Sequence, residues 1–272
     1  MAGQVRPSSG PVTPCMFRFL RIAILLTILV VVAGNQWLTS NRLSSWEKPL
    51  WITIYPVLLD SDPDIRRHVK SLSADSFQDI GDFLKREAAH YGRQLEDPVV
   101  IQLARPLTVL PPALPAESSG LNVALWSLKM RWWSWRHGAQ DGLIGDDVRM
   151  YVLYQKGNSE NPMERSVGIK NGSYGLVNAI ASRQMAARNR IVITHELLHV
   201  LGAGDKYDLD TGQPMVPDGL ADPAQAPLYP QDRAEIMGGR IAISANDWRY
   251  PASLKFCVIG AQSAIEIGWL NE

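Results

Sequence analysis

Hydrophobic and polar positions along the chain fall into runs of three kinds, and each kind predicts a different element. The first kind is unbroken. Residues 22–34 carry no charge and are aliphatic but for Thr27 and Gly34, with Arg18 and Arg21 just ahead of them. Extended through Phe19, Leu20, Trp37 and Leu38, the run approaches the ~20 residues that cross a bilayer, so residues 17–38 are expected to form a transmembrane signal anchor. A small-x-small cleavage site is poorly formed around Val31 to Gly34, which favours an uncleaved anchor; cleavage would make the rest of the chain secreted. The two arginines place residues 1–16 in the cytoplasm. Residues 39–49 then serve as a tether, and the remainder is expected outside the cytoplasm.

The second kind of run is short and rich in β-branched and aromatic residues. Residues 50–59, 99–103, 146–155, 166–170 and 174–180 are read as strands on this ground, the last two joined through Asn171-Gly172 as a hairpin. The third kind has helical spacing. Phe77, Ile80, Leu84, Ala88 and Tyr91 predict a helix over 73–91. Leu125, Leu128, Trp132 and Trp135 predict another over 121–137, with these four as its buried stripe and Lys129, Arg131 and Arg136 toward water. The same tryptophan-rich basic helix has a second reading, as a segment resting on lipid headgroups. Residues 191–201 are apolar nearly all round, which marks a central, buried helix. Residues 263–270 read as a short closing helix, and the proline-bearing stretches at 106–115 and 214–230 as loops. The order is strand, helix, strand, helix, strand, strand pair, central helix: an α+β chain with a mixed sheet packed by helices.

Composition changes this picture little. The 272 residues are 46% hydrophobic and 20% charged, enough for a sizeable core, and 27 basic residues balance 27 acidic ones, so no global field favours a nucleic-acid partner. Cys15 and Cys257 stand on opposite sides of the apolar run and match no zinc-ligand pair; Cys257 reads as a small buried apolar residue.

Chemistry concentrates on the central helix. His195 and His199 are four residues apart and share one helical face, so both imidazoles reach one ion; this is the spacing of a zinc site. Glu196 lies about 100 degrees round the helix, off the ligand stripe but placed to act as a base on water at the metal. His68, His90 and His137 all precede the helix, so a third ligand following it must be a carboxylate. Gly202 ends the helix and Gly204 loosens the next turn, which lets the chain double back and bring Asp205 under the metal; Asp208 and Asp210 are reserves that read first as solvated turn carboxylates.

The series His195-Glu196-x-x-His199-x-x-Gly202-x-x-Asp205 resembles the extended zinc signature of the metzincin metallopeptidases, in the variant with aspartate as third ligand found in snapalysin-like proteases. Met237, in Ala234-Glu-Ile-Met-Gly-Gly239, stands where their methionine turn is expected. The resemblance implies a zincin-like fold: a twisted mixed sheet over residues 50–202 that ends in the active-site helix, and a small C-terminal subdomain, 203–272, beneath the cleft. It implies Zn²⁺ as cofactor and hydrolysis of a peptide or protein substrate, with Glu196 moving the proton. The substrate would lie along a sheet edge such as residues 174–180. One departure stands out. The tyrosine that often follows the methionine by two is Gly239 here, and Tyr207, Tyr229 and Tyr250 are the substitutes on offer. The lost tyrosine also keeps a second reading open, a zincin-like binding or scaffold protein of the cell envelope with little hydrolytic activity; the intact Glu196 argues against it.

Overall fold

The computed structural model describes residues 14–59, 62–93, 95–115, 119–138, 140, 142–157, 167–168 and 173–271. The chain divides into two compact units, Met1–Asn41 and Arg42–Glu272, and the regions expected on either side of residue 202 both belong to the second.

Helix α1 runs over Pro14–Ser45, continuing through the stretch expected to be a tether. The membrane assignments drawn from its apolar run are corrected here. Among the described residues no helix is long and apolar enough to cross a membrane. The transmembrane anchor at 17–38, the membrane as a partner, and the single-pass placement with an extracytoplasmic domain are therefore withdrawn. Physically, the unbroken apolar part of the run is residues 22–34, with Arg18 and Arg21 ahead of it and the polar Asn35-Gln36 behind, well short of the ~20 residues a span needs. The side chains at 28, 29, 32, 33, 35 and 36 lie outside the described ones.

The second unit is built on a five-stranded, mostly parallel sheet. Its strands are β1 (Leu50–Leu58), β2 (Val99–Leu103), β3 (Val148–Gln155), β4 (Val167–Gly168) and β5 (Tyr174–Ile180), in the order β2-β1-β3-β5-β4. β1 pairs in parallel with β2 and β3, and β3 with β5; β4 alone runs antiparallel, with Val167 opposite Leu176. The expected α+β class with a mixed sheet therefore holds at that level. β1 and β5 are buried almost throughout, which explains their continuous rather than alternating hydrophobicity, while β2, at the edge, is half-buried along most of its length. β5 carries a neighbour on each side at Gly175–Leu176, so the substrate edge expected at 174–180 is not an edge there. The Asn171-Gly172 turn lies outside the described residues.

Helices cover both faces. α2 (Pro63–Lys70) is capped by the Asp62 carboxylate, which accepts from the Asp64 amide, and α3 (Gln78–His90) buries Ile80, Phe83, Leu84 and Ala88. A larger core joins these residues to the apolar side of α5 (Ala186–Leu201), including Ile193, Leu197, Leu198 and Leu201. A smaller one gathers Tyr55 and Tyr151 under α4 (Gly120–Gly138). α4 presents the face opposite to the expected one. It buries Trp126, Met130 and Trp133, while Leu125, Leu128, Trp132 and Trp135 are 48–72% exposed. Trp133 packs edge-on against Tyr151, ring centroids 4.9 Å apart, and Ser134 bonds the Tyr151 hydroxyl at 2.8 Å, so the sheet's tyrosines select the face. The chain after α5 winds through two-stranded ribbons and ends on α6 (Ala261–Glu266).

Candidate metal centre

His195 and His199 project from the last turns of α5, where the apolar sequence forces the helix into the core: residues 191–198 are buried without exception. The helix stops at Gly202, whose φ of +120° is one a side chain would resist, and a Cβ there would meet the Glu266 carbonyl oxygen at 2.9 Å. The chain then turns back, and Asp205 comes under the two imidazoles. Its Oδ1 lies 3.2 Å from His195 Nε2 and 3.1 Å from His199 Nε2, and the three residues form a group that could hold a metal ion. Asp208 does not join them. Its carboxylate accepts from the amides of Asp210 and Thr211 and from the Thr211 hydroxyl, closing an exposed turn, and Asp210 is exposed beside it.

The tautomers follow from the partners. His195 Nδ1 donates to the Ile236 carbonyl at 2.9 Å and His199 Nδ1 to the Ala203 carbonyl at 2.8 Å; a carbonyl cannot donate, so each Nδ1 carries the proton. Each neutral ring then offers a bare Nε2 lone pair to a carboxylate oxygen that is itself shut off from solvent and has no hydrogen-bond donor. Three lone pairs so placed repel unless a cation joins them. Two protons would serve, yet His195 is only 2% exposed, and burial opposes an imidazolium. One divalent ion satisfies all three at once. The competition is visible in the titration of the groups. Burial pushes the His195 pKa down, but Asp205, Glu196 and the Ile236 carbonyl outweigh it and raise it. Burial likewise pushes Asp205 up, and contact with both imidazoles holds it well below the usual carboxylate range.

Around this centre stand two groups that the motif marks, Glu196 and Met237, and two that its spacing does not fix, Tyr207 and Arg240. Glu196 is 5% exposed and its charge acts on both His195 and Tyr207. The Tyr207 ring lies 6.3 Å from that of His195, and the Arg240 guanidinium lies over it at 4.8 Å. Burial, then the Asp205 charge, raise the Tyr207 pKa against the pull of Arg240. Of the three substitute tyrosines it alone sits against the imidazoles: Tyr250 stacks with Trp248 and Arg188, and Tyr229 is half-buried in the 214–230 loop. Met237 is wholly buried; its carbonyl accepts from the Lys206 amide at 3.0 Å, while that of Ile236 holds His195, so this turn supports both ends of the metal loop.

Two carboxylates, Glu235 buried and Glu266 half-buried, fix the supports. Glu235 accepts from the amides of Gly238 at 2.6 Å and Gly260 at 3.1 Å and from the Ser263 hydroxyl at 2.9 Å, locking the methionine turn to the start of α6. Glu266 accepts from the Gly204 amide at 2.8 Å and from Lys206 Nζ at 2.8 Å, clamping the turn that carries Asp205. Apart from Gly238, their partners are 25 to 62 residues away, so neither bridging role is readable from local sequence.

No family model and no curated protein matches the chain. Among solved structures, a chain from a chaperone–substrate complex aligns over 80% of this chain and 34% of its own length, at 15% identity and a TM-score of 0.38. Wild-type OgpA from Akkermansia muciniphila aligns over 81% of this chain and 60% of its own, at 10% identity and a TM-score of 0.35. This chain thus spans about a third and three-fifths of those two, and likenesses at this level name no family for it.

Proposed function

We propose that the chain is a zinc-dependent, metzincin-like endopeptidase in which His195, His199 and Asp205 hold the metal and Glu196 is the general base. The convergence of two bare imidazole nitrogens on one Asp205 oxygen carries this reading. Ligands about 2.0–2.1 Å from a tetrahedral zinc stand about 3.3–3.4 Å from one another, close to the two contacts found here. Two imidazoles and one carboxylate are also a donor set that zinc favours, and three protein ligands leave a position open for chemistry.

Zinc bound there would polarise a substrate carbonyl and ease the ionisation of water. The protein groups do the rest. The Ile236 and Ala203 carbonyls hold the imidazoles in the one tautomer that can coordinate. Glu196 accepts the proton of the attacking water and returns it to the leaving amine. Tyr207 donates its hydroxyl toward the carbonyl oxygen as negative charge gathers on it, a role for which a raised pKa keeps the proton in place at neutral pH. The site is reachable, since the Asp205 side chain is 35% and that of His199 17% exposed.

Glu196→Gln tests the reading. It should bind one zinc per chain, by elemental analysis, and cleave an unbiased peptide library at least 10³-fold more slowly than the wild type; equal cleavage would remove Glu196 from the chemistry. Tyr207→Phe should keep zinc and KM and lower kcat about 10²-fold. Unchanged kcat would assign Tyr207 to packing alone.

A further inference from the structure

A cleft of about 340 Å³ opens where the carboxyl end of β3 meets the start of α5, and none of its lining residues is a ligand of the metal centre. His68, Ser71, Ser76, Tyr154, Arg183 and Arg190 line it, and no carboxylate does. Its charge is one-sided. Arg183 is exposed and forms no ion pair among the described residues. Arg190 is pinned in place by Asp79, 2.9 Å away, and by the Ser76 carbonyl at 3.3 Å. α5, sixteen residues long, begins at this cleft with no capping side chain and no acidic residue in its first turn, and the Arg183 carbonyl accepts from its first amide, that of Ala186, at 3.2 Å.

The independent sign of a ligand is Tyr154. Its side chain is 2% exposed and lines the cleft, its ring packs on His68 at 5.4 Å, and its hydroxyl has no hydrogen-bond partner among the described residues. The hydroxyl oxygen is not among the atoms sealed from solvent, so it opens into the cleft and is offered there as a donor to whatever enters. Burial raises its pKa, so the donor proton is secure. Burial and then Arg183 lower the pKa of His68, which keeps that ring neutral in the absence of an anion.

We propose that this cleft binds the phosphate group of a small phosphorylated ligand. Donors come from three side chains: the Arg183 and Arg190 guanidinium groups and the Tyr154 hydroxyl. A tetrahedral phosphate has oxygens for all three, whereas a planar carboxylate serves two. The volume leaves room for a small organic body beside the phosphate. Arg190 and His195 are five residues apart on one helix, about 7.5 Å of rise, so the cleft is a neighbour of the metal centre and distinct from it.

The test is calorimetric titration of inorganic phosphate into the full chain kept in EDTA, so that no metal can take up the anion. One saturable site is expected, with acetate binding more weakly. Arg183→Ala, an exposed position, should weaken phosphate binding about tenfold or more, and Tyr154→Phe about fivefold, with unchanged far-UV circular dichroism in both. Absence of a saturable site, wild-type affinity in Arg183→Ala, or acetate binding as tightly as phosphate would each overturn the assignment.

Discussion

At Asp205, a carboxylate oxygen stands within 3.2 Å of two imidazole nitrogens that have no proton to give it. That frustration makes the residue an informative one to change. Asp205→Asn keeps the shape of the side chain while its amide can donate to an Nε2 lone pair, so the metal-free protein loses a repulsion. Its Tm in EDTA should equal or exceed that of the wild type. Its zinc affinity should fall at least 10²-fold, because an amide is a poor ligand beside two imidazoles, and the Tm gain on adding zinc should vanish. Melting curves with and without zinc decide it; an undiminished zinc response would place the third ligand elsewhere. The same residue marks the reach of the sequence. The spacing of His195, His199, Gly202 and Asp205 is local, and a helix followed by a glycine-bearing turn is enough to bring the three ligands together. Choosing Asp205 over Asp208 and Asp210 needed the turn itself, in which Asp208 is occupied with Thr211.

Elements were legible where one pattern competed with none. β2 spans residues 99–103 as its four apolar residues around Gln102 predict, and α5 appears as a buried helix because residues 191–201 of its sequence are apolar nearly all round. α2 was invisible, since Ile65 and Val69 are its only buried residues and two positions make no stripe. α4 shows a different failure. Two stripes of helical spacing share it, and periodicity cannot say which of them meets Tyr55 and Tyr151. Supports that bridge elements escape sequence reading altogether, and the clamp of Lys206 and Glu266, which grips the turn carrying Asp205, is one of them. Lys206 is 7% and Glu266 24% exposed at the side chain, so removing one partner strands the other in a largely dry place. Glu266→Ala should therefore destabilise the metal-free protein by about 3 kcal/mol and weaken zinc binding about tenfold through the loosened Asp205 turn. Urea unfolding and a zinc titration measure the two effects separately. A stability loss with full zinc affinity would mean that Asp205 is held by the methionine turn alone.

For the molecule as a whole, the second unit begins with residues that the sequence assigned to a tether. Leu43 and Trp46 are 3% and 4% exposed and belong to the main core. Trp46 donates its indole N–H to the Ile267 carbonyl at 2.7 Å and packs on Trp269 with ring centroids 5.3 Å apart, just past the end of α6. Arg42 adds an ion pair to Asp147 at 2.8 Å and donates to the Pro49 carbonyl at 2.8 Å. These contacts join the first residues of the unit to the last, next to the Glu266 that clamps the metal loop. Residues 42–46 are therefore part of the fold that holds the site, and a boundary drawn at residue 50 would cut through its core. A chain starting at Arg42 should match the full chain in the Tm of its second unit and in zinc stoichiometry. One starting at residue 50 should lose both, since deleting a buried tryptophan alone costs about 3–5 kcal/mol, a large part of a domain's 5–15. Trp46→Ala in the full chain separates packing from the other losses: it should lower Tm by several degrees and leave zinc stoichiometry intact below the new transition. Equal stability of the two truncated chains would show that the core closes without Leu43 and Trp46.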